Sequence, residues 1–167
     1  IEVARANPET VYVGTENGGF FRSEDGGETW RGDLAGSALP GRIITGIRSH
    51  PQDALQVLVT TGGSGYRPGQ EHPRRQTHVF KSANGGLRWE DVDRGRLPDV
   101  PHNSLDIPRS RAREVYVATD AGVFFSSDLG GSWLRLTEGL PPVSVVDLVY
   151  HDRQKTVTAA TYGRGLW

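Results

Sequence analysis

The sequence predicts an all-β fold assembled from repeated four-stranded antiparallel units. Three observations support this prediction. An eight-residue pattern occurs three times, short runs containing Val, Thr, Tyr and Trp alternate with turn residues, and no segment shows helical periodicity. The chain has 167 residues, of which 22 are Gly and 10 are Pro, a composition that favours many short strands joined by turns. A chain of this length can bury a substantial core.

The repeated pattern has Ser first, Asp or Asn third, Gly fifth and Trp eighth. It occupies residues 23–30, 82–89 and 126–133, which we call octets 1, 2 and 3. Asp or Asn two residues after Ser folds back onto backbone N–H groups, Gly supplies backbone freedom and Trp buries a large surface beside the turn. Each octet is therefore predicted to be a stapled β-hairpin turn with a structural role. The residues concerned are Ser23, Asp25, Gly27, Trp30, Ser82, Asn84, Gly86, Trp89, Ser126, Asp128, Gly130 and Trp133.

The segments around the octets divide into four units, at about residues 1–34, 42–93, 102–138 and 143–167. The predicted strands are 1–8, 10–15, 19–23 and 28–33, then 42–48, 55–61, 77–82 and 87–92, then 102–108, 114–119, 122–126 and 132–137, and finally 143–150, 156–161 and a start at 166. Four-stranded repeats of about 40 residues are typical of β-propeller blades, which stack because one blade cannot bury its faces alone. We predict one propeller segment of three complete blades and a partial fourth.

The octets resemble the Asp box, or BNR repeat, of β-propellers such as sialidases, xyloglucanase-type glycosidases, sortilin-like receptors and photosystem assembly factors. Residues 160–167, Ala-Thr-Tyr-Gly-Arg-Gly-Leu-Trp, are similar to the final-blade motif of many BNR proteins. The resemblance implies a C-terminal part of a propeller. We expect the remaining blades, or self-association, to cover its open faces. The resemblance also favours a secreted or extracytoplasmic protein.

Composition excludes several classes of function. The net charge of −1 provides no field to attract nucleic acid or an anionic membrane. Cys is absent, which excludes disulfides and thiolate metal sites, and no apolar stretch is long enough to span a bilayer. The five His show no metal-ligand spacing, so we predict neither a metal nor another cofactor. The expected partner is a carbohydrate or a protein.

In the predicted topology, the turns between second and third strands share one end of the blades with the loops into the innermost strands. We call this end the upper face; the octets lie at the opposite end. The resemblance places ligand sites of related propellers on the upper face. Glu16 and Asp120 occupy matching turns there, and similarity to xyloglucanase-type glycosidases makes them candidate catalytic carboxylates. The alternative is that both are ordinary turn residues.

The second unit carries an insertion at residues 62–76, between its second and third strands. Loops of this length in compact domains are usually functional or disordered. Its Tyr could stack on a sugar ring or a base, and its Arg residues could pair with carboxylate, sulfate or phosphate, the alternative being a solvated loop. Together with the neighbouring turns of the upper face, the insertion is predicted to form a mildly basic rim. The predicted ligand-binding residues are Arg42, Tyr66, Arg67, His72, Arg74, Arg75, His102, Asn103, Tyr162 and Arg164.

Two further carboxylates, Asp106 and Asp147, fall at equivalent places on innermost strands, where pairing with backbone or Arg is favoured over acid–base chemistry. Three functions therefore remain open. The first is a noncatalytic propeller that binds a glycan or a protein, which is favoured because structural motifs outnumber catalytic ones. The second is part of a BNR-repeat glycoside hydrolase. The third is an assembly or scaffold factor.

Overall fold

A computed structural model of the chain describes residues 1–63, 77–136 and 139–167. Within these ranges the regular elements are all β-strands, which confirms the all-β prediction, and no helix there is long and apolar enough to cross a bilayer. The strands are β1 (Glu2–Val3), β2 (Val11–Gly14), β3 (Phe20–Ser23), β4 (Ile44–His50), β5 (Asp53–Thr61), β6 (Val79–Ser82), β7 (Glu90–Asp91), β8 (His102–Asp106), β9 (Val115–Thr119), β10 (Gly122–Ser126), β11 (Leu134–Leu136), β12 (Val145–His151), β13 (Thr156–Thr161) and β14 (Gly165–Leu166).

The strands form four antiparallel sheets, one in each predicted unit. Sheet 1 contains β1 to β3, sheet 2 contains β4 to β7, sheet 3 contains β8 to β11, and sheet 4 contains β12 to β14. In every sheet the strands lie side by side in chain order. Each connection within a sheet is therefore a hairpin, and the two ends of each sheet carry different sets of turns. This topology places the β2–β3, β9–β10 and β13–β14 turns at the upper face.

The core consists of apolar side chains buried between consecutive sheets. In β5, Val57 and Val59 pack against sheet 1, whereas Leu58 packs with apolar side chains of sheet 3. Successive side chains of a strand point to opposite faces, so a strand with a sheet on each side needs apolar residues in succession. The continuous apolar runs of β5 and β9 follow from this requirement. Clusters of this kind join sheets 1 and 2, 2 and 3, and 3 and 4.

Each octet forms the predicted turn between the third and fourth segments of its unit. In octet 3, the Ser126 hydroxyl accepts the Gly130 N–H at 2.8 Å and donates to Asp128 Oδ1 at 2.8 Å. The same carboxylate oxygen accepts the Ser132 N–H at 2.8 Å. Octets 1 and 2 repeat these three hydrogen bonds. The side chains of the octet thus satisfy the backbone donors of its own turn.

The octet tryptophans reach beyond their own turns, because two of them also pack on the preceding sheet. Trp89 donates its Nε1–H to the Leu34 carbonyl at 3.1 Å, and its ring meets the Phe20 ring edge-on with centroids 4.9 Å apart. Trp133 donates to the Val92 carbonyl at 2.9 Å. Trp30, on sheet 1, donates to Gly27 within its own turn and is 43% exposed. A tight turn is too small to cover an indole, so burial needs a neighbouring sheet.

Two strands of the first unit are shorter than predicted. The innermost strand, predicted at residues 1–8, is confined to Glu2–Val3. The outer strand, predicted at residues 28–33, is reduced to one bridge between Arg22 and Arg31. Beyond this bridge the Asp33 carboxylate accepts the Phe20 N–H at 2.9 Å. A side-chain oxygen thus replaces a backbone acceptor and interrupts the ladder.

Asp106, on β8, links all four sheets at the inner edge of the assembly. Its Oδ1 lies 3.4 Å from Arg5 Nη2, beyond β1, and 3.4 Å from Arg48 Nε, on β4. Its two oxygens also accept the N–H groups of Ile107 and of Tyr150, on β12, each at 2.9 Å. The expected pairing of this carboxylate with backbone and Arg is confirmed.

Candidate functional site

The candidate site lies on the upper face, where the structure describes three of the four turns between second and third strands. Glu16 and Asp120 occupy two of these turns, and Tyr162 begins the third. Residues 64–76 of the insertion lie outside the described residues. The predicted ligand-binding residues within it are Tyr66, Arg67, His72, Arg74 and Arg75.

A group of polar contacts joins sheets 3 and 4 at this face. Asp120 Oδ1 accepts hydrogen bonds from Asn103 Nδ2 at 3.0 Å and from the Ser144 hydroxyl at 2.7 Å. Asn103 Nδ2 also donates to the Val145 carbonyl at 2.8 Å, and the Tyr162 N–H donates to the Ser144 carbonyl at 2.9 Å. We call Asn103, Asp120, Ser144 and Tyr162 the rim cluster. Its members come from four chain segments, which these hydrogen bonds hold together.

The Tyr162 side chain projects from this cluster and is 79% exposed. Its turn is fixed by Gly163 at φ 80° and by the Thr161 hydroxyl, which donates to the Gly165 carbonyl at 2.8 Å. Arg164 is exposed on the same turn. Asp120 Oδ2 accepts no hydrogen bond from any described residue. The rim cluster therefore includes an exposed aromatic side chain and a carboxylate oxygen, and these are the group types that stack on a sugar ring and accept its hydroxyls.

The two candidate catalytic carboxylates occupy different surroundings. Asp120 belongs to the rim cluster, on sheet 3. Glu16 is exposed on sheet 1, and within the described part of the chain no side chain pairs with it. Sheet 2 stands between their sheets. The contacts of the upper face thus bring Asp120 together with Asn103 and Ser144, and not with Glu16.

His102 is buried beneath the rim and presents no surface there. Its ring stacks on His78 with centroids 4.6 Å apart and an interplanar angle of 2°. His78 Nε2 lies 2.9 Å from Asp99 Oδ1, and His78 Nδ1 lies 3.1 Å from the Thr61 carbonyl. A hydrogen-bond acceptor thus lies near each ring nitrogen of His78.

The protonation of His102 follows from its surroundings. Its Nδ1 lies 2.8 Å from the Val100 carbonyl, so this nitrogen carries the proton of the neutral ring. Burial, reinforced by the positive charge that His78 can carry, lowers the pKa of His102 to about 3. His102 Nε2 is buried and has no hydrogen-bond partner among the described residues. The packing around His102 therefore accommodates the neutral form of its ring.

Asp93 and Arg42 complete the buried layer around His78. Asp93 is fully buried and accepts the N–H groups of His78 and Leu97, each at 3.0 Å, while burial raises the pKa of its carboxyl group. The Arg42 guanidinium lies 3.4 Å from His78 Nδ1 and 3.5 Å from Nε2. Arg42, predicted on the rim, is therefore half-buried against His78. We call Arg42, His78, Asp93, Asp99 and His102 the histidine network.

Sequence reasoning did not single out His78, Asp93, Asp99 or Ser144 as candidate residues of this face. One signal was present in the repeats. Asp93 follows β7 as Asp33 follows the Arg22–Arg31 bridge of the first unit. Asp33 accepts the N–H of Phe20, the first residue of β3, and Asp93 accepts the N–H of His78, which directly precedes β6. Asp99 and Ser144 lie in loops between units, where the repeat has no counterpart to compare. Only their contacts identify them.

A cavity of about 420 Å³ opens at the innermost strands beside the rim cluster. Its lining includes Arg48, Asn103, Ser104 and Asp147. The Ser104 hydroxyl donates to Asp147 Oδ1 at 2.7 Å, so this carboxylate pairs with a hydroxyl as well as with backbone. Asn103 belongs to both the cavity and the rim cluster. A polar ligand held at the rim could therefore extend toward the inner edge. In the described part of the chain, no group of carboxylates and histidines could hold a metal ion.

Neither a protein-family model nor a curated protein matches the sequence. Solved structures do match. The chain is 16% identical to a GH74 enzyme from Niastella koreensis, with a TM-score of 0.72 over 95% of this chain and 25% of that one. It is 12% identical to YCF48 bound to D1 peptide, with a TM-score of 0.61 over 97% and 50%. It is 18% identical to the extracellular domain of a one-component system from B. thetaiotaomicron, with a TM-score of 0.67 over 96% and 19%.

These similarities establish the fold. The matching structures are β-propellers, and the four sheets described above are blades of that architecture. The chain spans 21 to 26% of the length of the three GH74 structures. All the identities are at or below 21%, so the likeness concerns architecture.

Proposed function

We propose that this chain is a noncatalytic ligand-binding segment of an Asp-box, or BNR-repeat, β-propeller, and that the rim cluster binds a glycan. The observation that supports this proposal is the rim cluster itself, in which Ser144 contacts both the Asp120 carboxylate and the backbone of the turn that carries the exposed Tyr162 side chain. A sugar ring presents an apolar face and several hydroxyl groups. Tyr162 supplies the stacking surface, and Asp120 Oδ2 supplies a hydrogen-bond acceptor for a hydroxyl.

The contacts of Asp120 favour binding over hydrolysis. Glycoside hydrolysis normally uses two carboxyl groups about 5 to 9.5 Å apart across the scissile bond. Asp120 instead shares its Oδ1 with an amide and a hydroxyl, and these partners join two blades. Such a carboxylate can accept hydrogen bonds from a ligand while its other oxygen joins the two blades.

Charge can extend the binding surface beyond the rim cluster. Arg164 is exposed on the turn that carries Tyr162. The arginines of the insertion remain sequence-based members of the same rim. An acidic glycan would gain from these groups, and its affinity should fall with rising salt because exposed charges are screened over about 8 Å at physiological ionic strength.

A glycan array followed by titration tests the proposal. Tyr162→Ala should weaken binding of a captured glycan by about tenfold, which corresponds to about 1.4 kcal/mol of lost stacking. The control is Trp30→Ala, which removes an exposed aromatic ring from the opposite end of the blades. Unchanged affinity in Tyr162→Ala, with the same thermal midpoint as the parent, would contradict the assignment.

The second candidate is part of a BNR-repeat glycoside hydrolase, which the GH74 likeness supports at the level of fold. Asp120→Asn separates the two functions. Loss of turnover of chromogenic glycosides with retained affinity would favour hydrolysis. Absence of turnover by the parent protein, with glycan binding intact, would favour the noncatalytic function.

The third candidate is an assembly or scaffold factor. The YCF48 structure contains a bound peptide, so this candidate predicts binding to a peptide at the same face. A peptide array run in parallel with the glycan array would distinguish the scaffold function from the glycan-binding function. Retention of peptides, without any retained glycan, would favour the scaffold function.

A further inference from the structure

The third and seventh residues of an octet contact each other in octets 1 and 3. In octet 1 the Thr29 hydroxyl donates a hydrogen bond to Asp25 Oδ2. In octet 3 the Ser132 hydroxyl donates to Asp128 Oδ2 at 2.9 Å. The other oxygen of each carboxylate accepts the backbone N–H of the same seventh residue. In these two octets, both oxygens of the carboxylate are therefore engaged within their own turn.

Octet 2 replaces both members of this pair with hydrogen-bond donors. Its third residue is Asn84 and its seventh is Arg88. The Arg88 N–H donates to the Asn84 side chain at 2.8 Å, which identifies the accepting atom as the amide oxygen. Asn84 Nδ2 therefore takes the place of the second carboxylate oxygen. Across the described ranges, neither this amide nitrogen nor the Arg88 guanidinium makes a hydrogen bond or an ion pair, so two donors are left without acceptors.

Both donors line an open pocket of about 250 Å³, which we call the octet 2 pocket. All of its lining residues belong to the hairpin of β6 and β7, at the end of the blade opposite the upper face. The lining residues are Lys81, Ala83, Asn84, Arg88, Trp89 and Glu90. The pocket has room for more than one water-sized group, so a ligand that meets the donors can place part of its body there.

The charges around the octet 2 pocket leave Arg88 without a counter-ion in the part of the chain that the structure describes. Glu90 is the acidic residue of the lining, and its two oxygens are already paired. One lies 3.3 Å from Lys81 Nζ and the other 2.9 Å from Arg94 Nη2. A guanidinium presents its N–H donors in a planar fork that matches two oxygens of an oxyanion. The pocket thus combines one uncompensated positive charge with an additional amide donor.

We infer that the octet 2 pocket binds a singly charged oxyanion group of a small ligand, a carboxylate or a sulfate ester, through the Arg88 guanidinium and Asn84 Nδ2. One negative charge matches the one uncompensated cation. Glu90 in the wall disfavours a phosphate monoester, which carries close to two negative charges. Octets 1 and 3 lack this site, because their carboxylate and hydroxyl satisfy each other. The inference is independent of what the rim cluster binds, since the two sites lie at opposite ends of the blades.

Nuclear magnetic resonance titration of the ¹⁵N-labelled protein tests the inference. The ligands are methyl β-D-glucuronide, which carries a carboxylate, and glucose 6-sulfate, each added at constant ionic strength. We expect saturable shifts of the Asn84 side-chain amide and of the Arg88 Nε–H, and the ligand that binds more tightly identifies the preferred group. The neutral methyl β-D-glucoside should leave both signals unchanged. Titration to about 50 mM detects a dissociation constant of about 10 mM.

The double variant Asn84→Asp/Arg88→Thr gives octet 2 the third and seventh residues of octet 1. The new carboxylate and hydroxyl should pair as Asp25 and Thr29 do, so the thermal midpoint should not fall, while affinity for the bound ligand should drop at least tenfold. Arg113→Thr is the matched control for the loss of an arginine. Arg113 is exposed, its carbonyl contacts octet 3, and it does not line the pocket. Its variant should bind the ligand within about twofold of the parent.

Two results would overturn the inference. One is the absence of saturable shifts at Asn84 and Arg88 with both anionic ligands, including the case in which shifts occur only around Tyr162 and place the ligand at the rim cluster. The other is an equal loss of affinity in Arg88→Thr and Arg113→Thr, which would indicate general attraction between charges and no specific site. Arg88→Thr alone replaces an exposed side chain, so this comparison remains available if the double variant does not fold.

Discussion

Ser126 shows how a single hydroxyl supports an octet. It is 1% exposed, and its oxygen accepts the Gly130 N–H at 2.8 Å. In Ser126→Ala this buried donor loses its partner, and we expect the free energy of unfolding to fall by about 1–3 kcal/mol. Urea unfolding measures the difference. Ser127→Ala is the control, because Ser127 is exposed in the same turn and should change stability by about 0.5 kcal/mol or less. Equal losses in both variants would contradict the role of the hydroxyl.

His102 provides a prediction about pH at the same scale. Its folded pKa of about 3 lies below the ordinary value of 6.5, so between these pH values the unfolded chain binds a proton that the folded chain does not. Stability should therefore fall as pH decreases from about 6.5 to 4.5, by up to about 1.4 kcal/mol per pH unit.

The variant His102→Asn tests this sign. Asn keeps an N–H that can donate toward the Val100 carbonyl but cannot bind a proton in this range. Its unfolding free energy should depend less steeply on pH than that of the parent between pH 4.5 and 6.5. His151→Asn, at an exposed position, serves as control and should keep the slope of the parent. If the parent and His102→Asn share one slope, the buried neutral histidine is not the source of the pH dependence.

At the scale of elements, two octet glycines show separately the two reasons for glycine at the fifth position: the backbone conformation of the turn and the close packing between blades. Gly27 and Gly130 have similar positive φ values, 104° and 93°. A Cβ on Gly27 would lie 3.6 Å from its nearest neighbour, in its own octet, whereas a Cβ on Gly130 would lie 2.7 Å from Val92 Cβ on the preceding sheet. Both Ala variants strain the backbone, but only Gly130→Ala also overpacks an interface.

We therefore expect Gly130→Ala to be less stable than Gly27→Ala by about 1–3 kcal/mol in chemical denaturation. The comparison is matched, since both substitutions add one methyl group at the fifth position of an octet. Losses of the same size would mean that the interface relaxes around the added methyl, and that conformation alone selects glycine at this position.

At the scale of the whole molecule, Asp106 joins the four blades. It is 3% exposed and contacts groups from sheets 1, 2 and 4. Asp106→Ala leaves two arginines facing each other and removes the acceptor of the Tyr150 N–H. We expect a loss of about 3 kcal/mol, the low end for a broken buried ion pair, because Arg5 and Arg48 keep partial contact with water.

Thermal unfolding followed by two probes checks this prediction. Tryptophan fluorescence and far-ultraviolet circular dichroism should give one transition in the parent and a lower, broader or split transition in Asp106→Ala. The comparison variant is Asp147→Ala, which removes an exposed carboxylate whose hydrogen bonds within the described part of the chain go to Ser104 and Leu148. A greater loss in Asp147→Ala than in Asp106→Ala would show that linkage of four blades is not what Asp106 contributes.

Local interactions made much of the fold predictable from the sequence. An octet closes through hydrogen bonds between residues two to four positions apart, such as Ser126 with Asp128 and Gly130. The pattern therefore determines its own turn, and three copies reveal the repeat. Apolar runs such as residues 57–59 likewise require a sheet on each side. Strand order follows, because each short connection makes a hairpin.

Contacts between blades were decided only by the tertiary structure. Trp89 reaches a carbonyl 55 positions away, and Asn103 contacts a carbonyl 42 positions away. Such pairs depend on how the sheets stack, and no local pattern records that geometry. For the same reason His102 was predicted at the surface but lies beneath it. The sequence alone determined the turns and the repeat, because their hydrogen bonds are local. Stacking of the sheets decided where each indole, histidine and rim carboxylate finds its partner, because those partners belong to different blades.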